Sequence, residues 1–424
     1  MKRGRGFSAN EDHKIITQAV SITSMSTIQL NSSLEEYQKE AKRELVNILG
    51  YWLQHAPDKV DGGFVGRIDN DNACDHTAVK GAVLNARILW SFSAAYNLEP
   101  KESYLEAADR AYQYIIDYLI DKEFGGVYWT VDHKGKPLDT KKQVYAVAFT
   151  IYAFAEYFLA SNRPEAKDKA IELYKLLLER SFDQEQTGYY EAFTREWGEI
   201  SDFRLSDKDA NEKKTMNTHL HVLEAYTTLY KIWRDEGLKE QIQLLLINFL
   251  DHIIDAESGH LILFFDENWN RKSDTISFGH DIEAAWLLLE AAEQMQDEYL
   301  IEEVKEASLG LANAAARGLA ADGSLYYEFE PGHQQLINEK HWWVQAEAMV
   351  GFFNAWQLSG NEEQLERSIK VWRFIQNKIL DRENGEWFWG VLDDGSIMAD
   401  QDKAGLWKCP YHNSRACIEI IKRI

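Results

Sequence analysis

The 424-residue chain carries 46 Lys and Arg against 69 Asp and Glu, a formal charge of −23, with 45% of its residues apolar and 12% aromatic. That mixture belongs to a globular chain with a sizeable core. Its acidity argues against DNA, RNA or an anionic membrane surface as partner, because there basic side chains must meet phosphates.

The N-terminus opens with the basic MKRGRG, but EDHK follows and no apolar core of a secretory signal appears. No run approaches the roughly 18–20 apolar residues of a membrane span. Residues 1–30 are polar and rich in Ser, Thr and Asn, and are expected to form a disordered extension ahead of a single catalytic domain over 31–424. Cys74, Cys409 and Cys417 form no CxxC element and are odd in number, which favours a reducing, cytoplasmic setting.

From there helical and strand-like segments alternate. A helix over 34–54 leads to GGFVGR (62–67), helices over 77–96 and 104–119 to GGVYW (125–129), and helices over 143–159 and 166–180 to TGYYEAF (187–193). Helices over 215–234 and 238–254 precede SGHLILFF (258–265), 277–295 and 299–316 precede DGSLYYEF (322–329), and 341–358 and 362–380 precede NGEWFWGV (384–391). The last helix spans 403–424. Gly63, Gly126, Gly188, Gly259, Gly323 and Gly385 recur at intervals of 63, 62, 71, 64 and 62 residues. Each unit is two helices and a short Gly-aromatic hairpin. Six units without polar capping repeats predict an all-α, closed (α/α)6 barrel of twelve helices, with the hairpins at one face around a central cleft.

Four of the twelve histidines stand near helix starts, which puts them at one rim: His219 and His221 in MNTHLHVLEAY, His280 in GHDIEAAW and His412 in PYHNS. Asn217 and His221 share a helix face, and so do His280 and Glu283. A carboxylate beside an imidazole orients it and favours its charged form. The HxH at 219–221 splays its imidazoles, the cysteines lack zinc spacing, and no P-loop or GxSxG elbow occurs, so neither a metal nor a phosphate group is expected. Arg67 is a candidate for an oxyanion or a sugar hydroxyl. Tyr128, Trp342, Trp343 and Trp407 are candidates to stack on a sugar, with Trp407 starting the last helix. Glu347, four residues after Trp343, is placed to bond a hydroxyl or close a polar network. For each aromatic, core packing is the competing role.

GGFVGRIDNDN, KGAVLNARILWSFSAAY, MNTHLHVLEAY, GHDIEAAWLL, KHWWVQAEA and WKCPYHNSRAC resemble the N-acylglucosamine 2-epimerase superfamily, and within it the cellobiose 2-epimerases, over about residues 35–424. The resemblance implies an (α/α)6 barrel and epimerisation at C2 of a reducing-end sugar without metal or cofactor, on β-1,4-linked disaccharides such as cellobiose, mannobiose or lactose. It implies that His280 and His412 are the acid/base pair and His221 a third essential histidine. Arg67 would lie near the reacting oxygens, Glu283 would support His280, and Tyr128, Asn217, Trp342, Trp343 and Trp407 would contact sugar. A monomer or weak homodimer is expected. The alternatives are an N-acylglucosamine 2-epimerase or mannose-type aldose–ketose isomerase, then a two-carboxylate glycoside hydrolase or a non-catalytic sugar-binding module.

Overall fold

The computed structural model describes residues 27–424. Twelve α-helices run through them: α1 Thr27–His55, α2 Ala82–Leu98, α3 Glu102–Tyr114, α4 Val144–Ser161, α5 Pro164–Arg180, α6 Met216–Ile232, α7 Glu236–Asn248, α8 Phe278–Met295, α9 Glu298–Ala315, α10 Trp342–Ser359, α11 Glu362–Phe374 and α12 Tyr411–Arg423. The even-numbered helices are buried nearly all round and touch in sequence from α2 to α12, with α12 returning to α2. Each odd-numbered helix packs outside an inner one, α1 against α12, so the ring closes as an (α/α)6 barrel.

This division follows from patterning. α3, ESYLEAADRAYQY, buries one stripe and leaves its charges in water. α4, VYAVAFTIYAFAEYFLAS, has neighbours on most sides and is apolar but for Thr150, Glu156 and Ser161. By length and composition α4 is apolar enough to cross a membrane, which the sequence reading did not anticipate. Its position between α2 and α6 accounts for that composition.

Two-residue strands stitch the rim. Lys80–Gly81 pairs antiparallel with Thr130–Val131, and Lys142–Gln143, Lys214–Thr215 and Lys340–His341 pair likewise with the hairpins that follow. Four of the lysines at these junctions are clamped by an aspartate of a hairpin turn: Lys80–Asp58 at 2.7 Å, Lys142–Asp121 at 2.8 Å, Lys214–Asp183 at 2.8 Å and Lys340–Asp322 at 3.1 Å. Lys403–Asp381, at 2.6 Å, repeats the clamp before the last helix, whereas the fourth unit has Ile276 in place of the lysine. A bridge between Ile68 and Ala404 joins the first and last units.

Three expectations shift. The first helix begins at Thr27, so residues 27–30 are helical; the rest of the expected disordered extension lies outside the described residues. The last helix begins at Tyr411 rather than 403, because Pro410 has no N–H to continue an upstream helix and Tyr411 becomes the first helical residue. The repeat register also moves. The backbone bond from Asp58 N–H to Gly63 O recurs from Asp121 to Gly126, Asp183 to Gly188, Asp255 to His260 and Asp381 to Glu386. His260 and Glu386, not Gly259 and Gly385, are therefore equivalent to Gly63.

Candidate active site

The inner helices all start at the hairpin rim, so equal positions along them lie at equal depth. The second residues of α4, α6, α10 and α12 are Tyr145, Asn217, Trp343 and His412. One turn deeper, the sixth residues of α2, α4, α6, α8 and α10 are Arg87, Phe149, His221, Glu283 and Glu347. Polar groups at these positions face the barrel axis, since each helix spends its apolar sides on its neighbours.

His412 Nδ1 lies 2.7 Å from Glu347 Oε1, and His221 Nδ1 lies 2.9 Å from Glu224 Oε2. Glu347 also accepts from Trp286 Nε1 at 3.1 Å and Arg415 Nη2 at 2.7 Å. The acceptor thus draws the Nδ1–H tautomer and leaves Nε2 of each ring as the free lone pair. His280 Nδ1 instead meets the Ser277 hydroxyl at 2.8 Å, a partner that both donates and accepts. The Trp343 ring lies 4.8 Å from His280 and 5.7 Å from His412. Gly279 admits it, because a Cβ there would stand 2.6 Å from the indole.

Arg415 ties the supports together. Its guanidinium donates to Glu224, Glu283, Glu347 and the Tyr411 hydroxyl, all fully buried. Three carboxylates share this one cation. Burial pushes Glu224 up, but Arg415 and His221 outweigh it and hold the group at about 2. At Glu283, burial and repulsion from Glu347 outweigh Arg415 and raise the group to about 7. Burial drives His280 down to about 3, and it drives His412 well below its ordinary value, with Arg87 and Arg415 adding to the effect. Both rings are therefore neutral, proton-accepting bases near pH 7.

The sequence reading missed Arg87. It is buried, donates to the Tyr145 hydroxyl at 2.8 Å and stands 4.3 Å over the Phe149 ring. Among the described residues no carboxylate forms an ion pair with it, and its Nε has no partner. Arg67, the arginine expected here, is instead held at the rim by both oxygens of Asp402, with its side chain 52% exposed. The signal was present: Arg87 stands in the same repeat position as His221, Glu283 and Glu347, but an isolated Arg in NARILW gave no spacing cue.

Other placements differ as well. Glu283 does not touch His280; it turns to Arg415 and lies 4.0 Å from His412. Glu347 is buried, with its Oε1 against His412 Nδ1. Tyr128 packs under Lys142 and Arg195, outside the histidine cluster, and its neighbour Trp129 faces Trp407 at 5.8 Å. Trp342 is buried against Trp389 at 4.5 Å, which leaves Trp343 at the cleft. Trp407 is half-buried in the irregular stretch before α12, against Trp129 and Tyr145. Asn217 sits at the rim with its Oδ1 unpartnered. His219 commits Nδ1 to Thr215 O and Nε2 to the Tyr189 N–H, which removes it as a ligand. Glu283, Glu347 and His412 bring their ligand atoms within 4.8 Å of one another, the spacing of a metal set, yet Arg415 already bridges the two carboxylates.

The N-acylglucosamine 2-epimerase family model matches residues 62–416, across all the helices that build this cluster. The chain belongs to that family. It is thus an enzyme of the isomerase class. A cellobiose 2-epimerase of Bacteroides fragilis is 48% identical over 388 residues, which cover 91% of this chain and 99% of that protein. The solved cellobiose 2-epimerase of Bacillus thermoamylovorans superimposes with a TM-score of 0.87 at 40% identity, over 93% of this chain and 100% of that one. A D-mannose isomerase of Marinomonas mediterranea is 24% identical over 379 residues, 86% of this chain and 92% of that protein.

Proposed function

We propose that the enzyme is a cellobiose 2-epimerase that inverts C2 of the reducing-end sugar of β-1,4-linked disaccharides, cellobiose, mannobiose and lactose among them. The observation that carries the reading is the convergence of neutral His280 and His412 on one indole, Trp343, beside an unpaired buried arginine, Arg87.

The C2 proton becomes acidic only when C1 is a carbonyl, so the pyranose first opens, the O1–H proton leaving and the ring oxygen gaining one. One neutral imidazole then removes the C2 proton and becomes imidazolium. The electron pair moves into a cis-enediolate with negative charge on O1. Arg87, free of any carboxylate partner among the described residues, is the preorganised cation for that oxygen, and His221 adds a second polar group. The imidazolium releases its proton to water, the other imidazole takes one up from water and delivers it to the opposite face of C2, and ring closure gives the epimer. Glu347 holds His412 at its Nδ1 and keeps Nε2 for the reaction. Trp343 and Trp407 offer flat faces to the sugar rings, and Asn217 a free acceptor at the rim. Residues 31–424 act as one catalytic domain. All three cysteines are unpaired, which supports a reducing, cytoplasmic setting.

Incubation with cellobiose in D2O, followed by NMR, tests this. The expected product is glucosyl-mannose carrying deuterium at C2. Free glucose would mean hydrolysis; unchanged cellobiose with turnover of free mannose or N-acylglucosamine would move the substrate to a monosaccharide.

A further inference from the structure

The recurring backbone bond that sets the repeat register marks one position in five of the six hairpins. It is Gly63, Gly126 and Gly188 in the first three units, but His260 in the fourth and Glu386 in the sixth. These two units lead into α8 and α12, the helices that bring His280 and His412. Both side chains turn inward, His260 at 4% and Glu386 at 5% exposure. His260 Nδ1 meets Asp281 Oδ2 at 2.6 Å, and Asp281 Oδ1 accepts the Leu261 N–H at 2.9 Å. Asp281 directly follows His280. Glu386 Oε1 accepts from Asn413 Nδ2 at 2.7 Å and from Lys408 Nζ at 3.1 Å, while Oε2 accepts from Trp52 Nε1 at 2.9 Å. Asn413 directly follows His412, and Lys408 directly follows Trp407.

Of the inner helices only α6 has a side-chain cap, Thr215 accepting the Thr218 N–H; α8 and α12, like α2, α4 and α10, have none. An uncapped first turn leaves N–H groups unsatisfied and frays. The segment before α12 is irregular, so Trp407 and His412 have no strand to hold them. Glu386 moreover adopts φ +62°, a left-handed conformation that disfavours a side chain and that glycine takes freely at Gly63, Gly126 and Gly188.

We propose that His260 and Glu386 are positioning residues of the epimerisation, each pinning from behind the residue next to one acid/base imidazole and so setting the angle at which that imidazole meets C2. The inference rests on the epimerase reading above. Successive helical residues point about 100° apart, so an anchor on Asp281 or Asn413 fixes the turn without entering the cleft.

The test restores the glycine of the other units. Glu386→Gly is combined with Lys408→Met, so that no buried ammonium is left unpaired, and His260→Gly with Asp281→Asn. Epimerisation of cellobiose is followed beside the parent enzyme, together with thermal melting. Both double variants are expected to fold with kcat reduced by about tenfold or more and KM changed by less than about threefold, as expected when a base is misaimed but the sugar still binds. The single variants Glu386→Gln and His260→Asn, which keep one polar bond to Asn413 or Asp281, are expected to recover most of kcat. Folded double variants with kcat within about twofold of the parent overturn the inference. If a double variant does not fold, Glu386→Asp and His260→Ser, which shorten the reach, carry the same kcat reading. A parent that leaves cellobiose unchanged removes the epimerase reading itself, whereas an active parent with unaffected variants removes this inference alone.

Discussion

Glu347 receives His412 Nδ1 and Arg415 Nη2 on the same oxygen, each at 2.7 Å. His412 is thereby one end of a buried chain that runs through Glu347, Arg415 and Glu224 to His221. The chain crosses from α12 to α10 and α6, and therefore fixes imidazoles from separate repeats relative to one another. His280, whose Nδ1 meets the Ser277 hydroxyl, lies outside this chain.

His280→Ala and His412→Ala are each expected to abolish epimerisation of cellobiose while the melting temperature stays near that of the parent. Loss of a general acid or base costs roughly 10²–10⁴-fold in rate. Turnover near the parent value in either variant would remove that residue from the chemistry.

Arg87→Met is expected to lower kcat by about 10²–10³-fold, the usual consequence of losing one oxyanion donor. Arg67→Ala breaks only an exposed pair with Asp402 and is expected to leave kcat within about threefold, as weak surface ion pairs do. A larger loss at Arg67 than at Arg87 would reverse this assignment and return the rim arginine to the site.

Stability should carry the signature of Glu283. Its carboxyl titrates near 7 in the folded chain, raised by burial and Glu347, against about 4.3 in an unfolded one. A group raised on folding contributes stability below its unfolded value and loses it as pH climbs through its folded value. The melting temperature of Glu283→Gln relative to the parent should therefore rise between about pH 4.5 and 7.5. A pH-independent difference would show that Glu283 keeps one protonation state throughout.

Trp407→Ala is expected to raise KM for cellobiose and to lower kcat through mispositioning, since stacking on a partly desolvated sugar face is worth on the order of 1 kcal/mol. A drop in melting temperature with unchanged kinetics would make Trp407 a packing residue against Trp129 and Tyr145.

Exhaustive EDTA treatment should leave activity intact. Arg415 occupies the cation position between Glu283 and Glu347, and both nitrogens of His219 are engaged. Activity lost to the chelator and restored by a divalent cation would overturn this.

The helical period, the six glycine turns and the histidines at helix starts are local properties, and the sequence alone was enough to derive the twelve-helix barrel with His280 and His412 near the starts of its inner helices; His221 lies one turn deeper. Which side chains meet across the barrel was not local. Spacing brought Glu283 next to His280, but the rotation of α8 against α12 sends it to Arg415. The motif drew attention to Arg67 at the rim, while depth along α2 delivers Arg87 to the histidines. Pro410 cut the last helix short and moved Trp407 off it. Periodicity within a helix determines which face is buried; only the packing of six repeats against one another determines which buried charges share a partner, because each such contact joins residues that are distant in the chain.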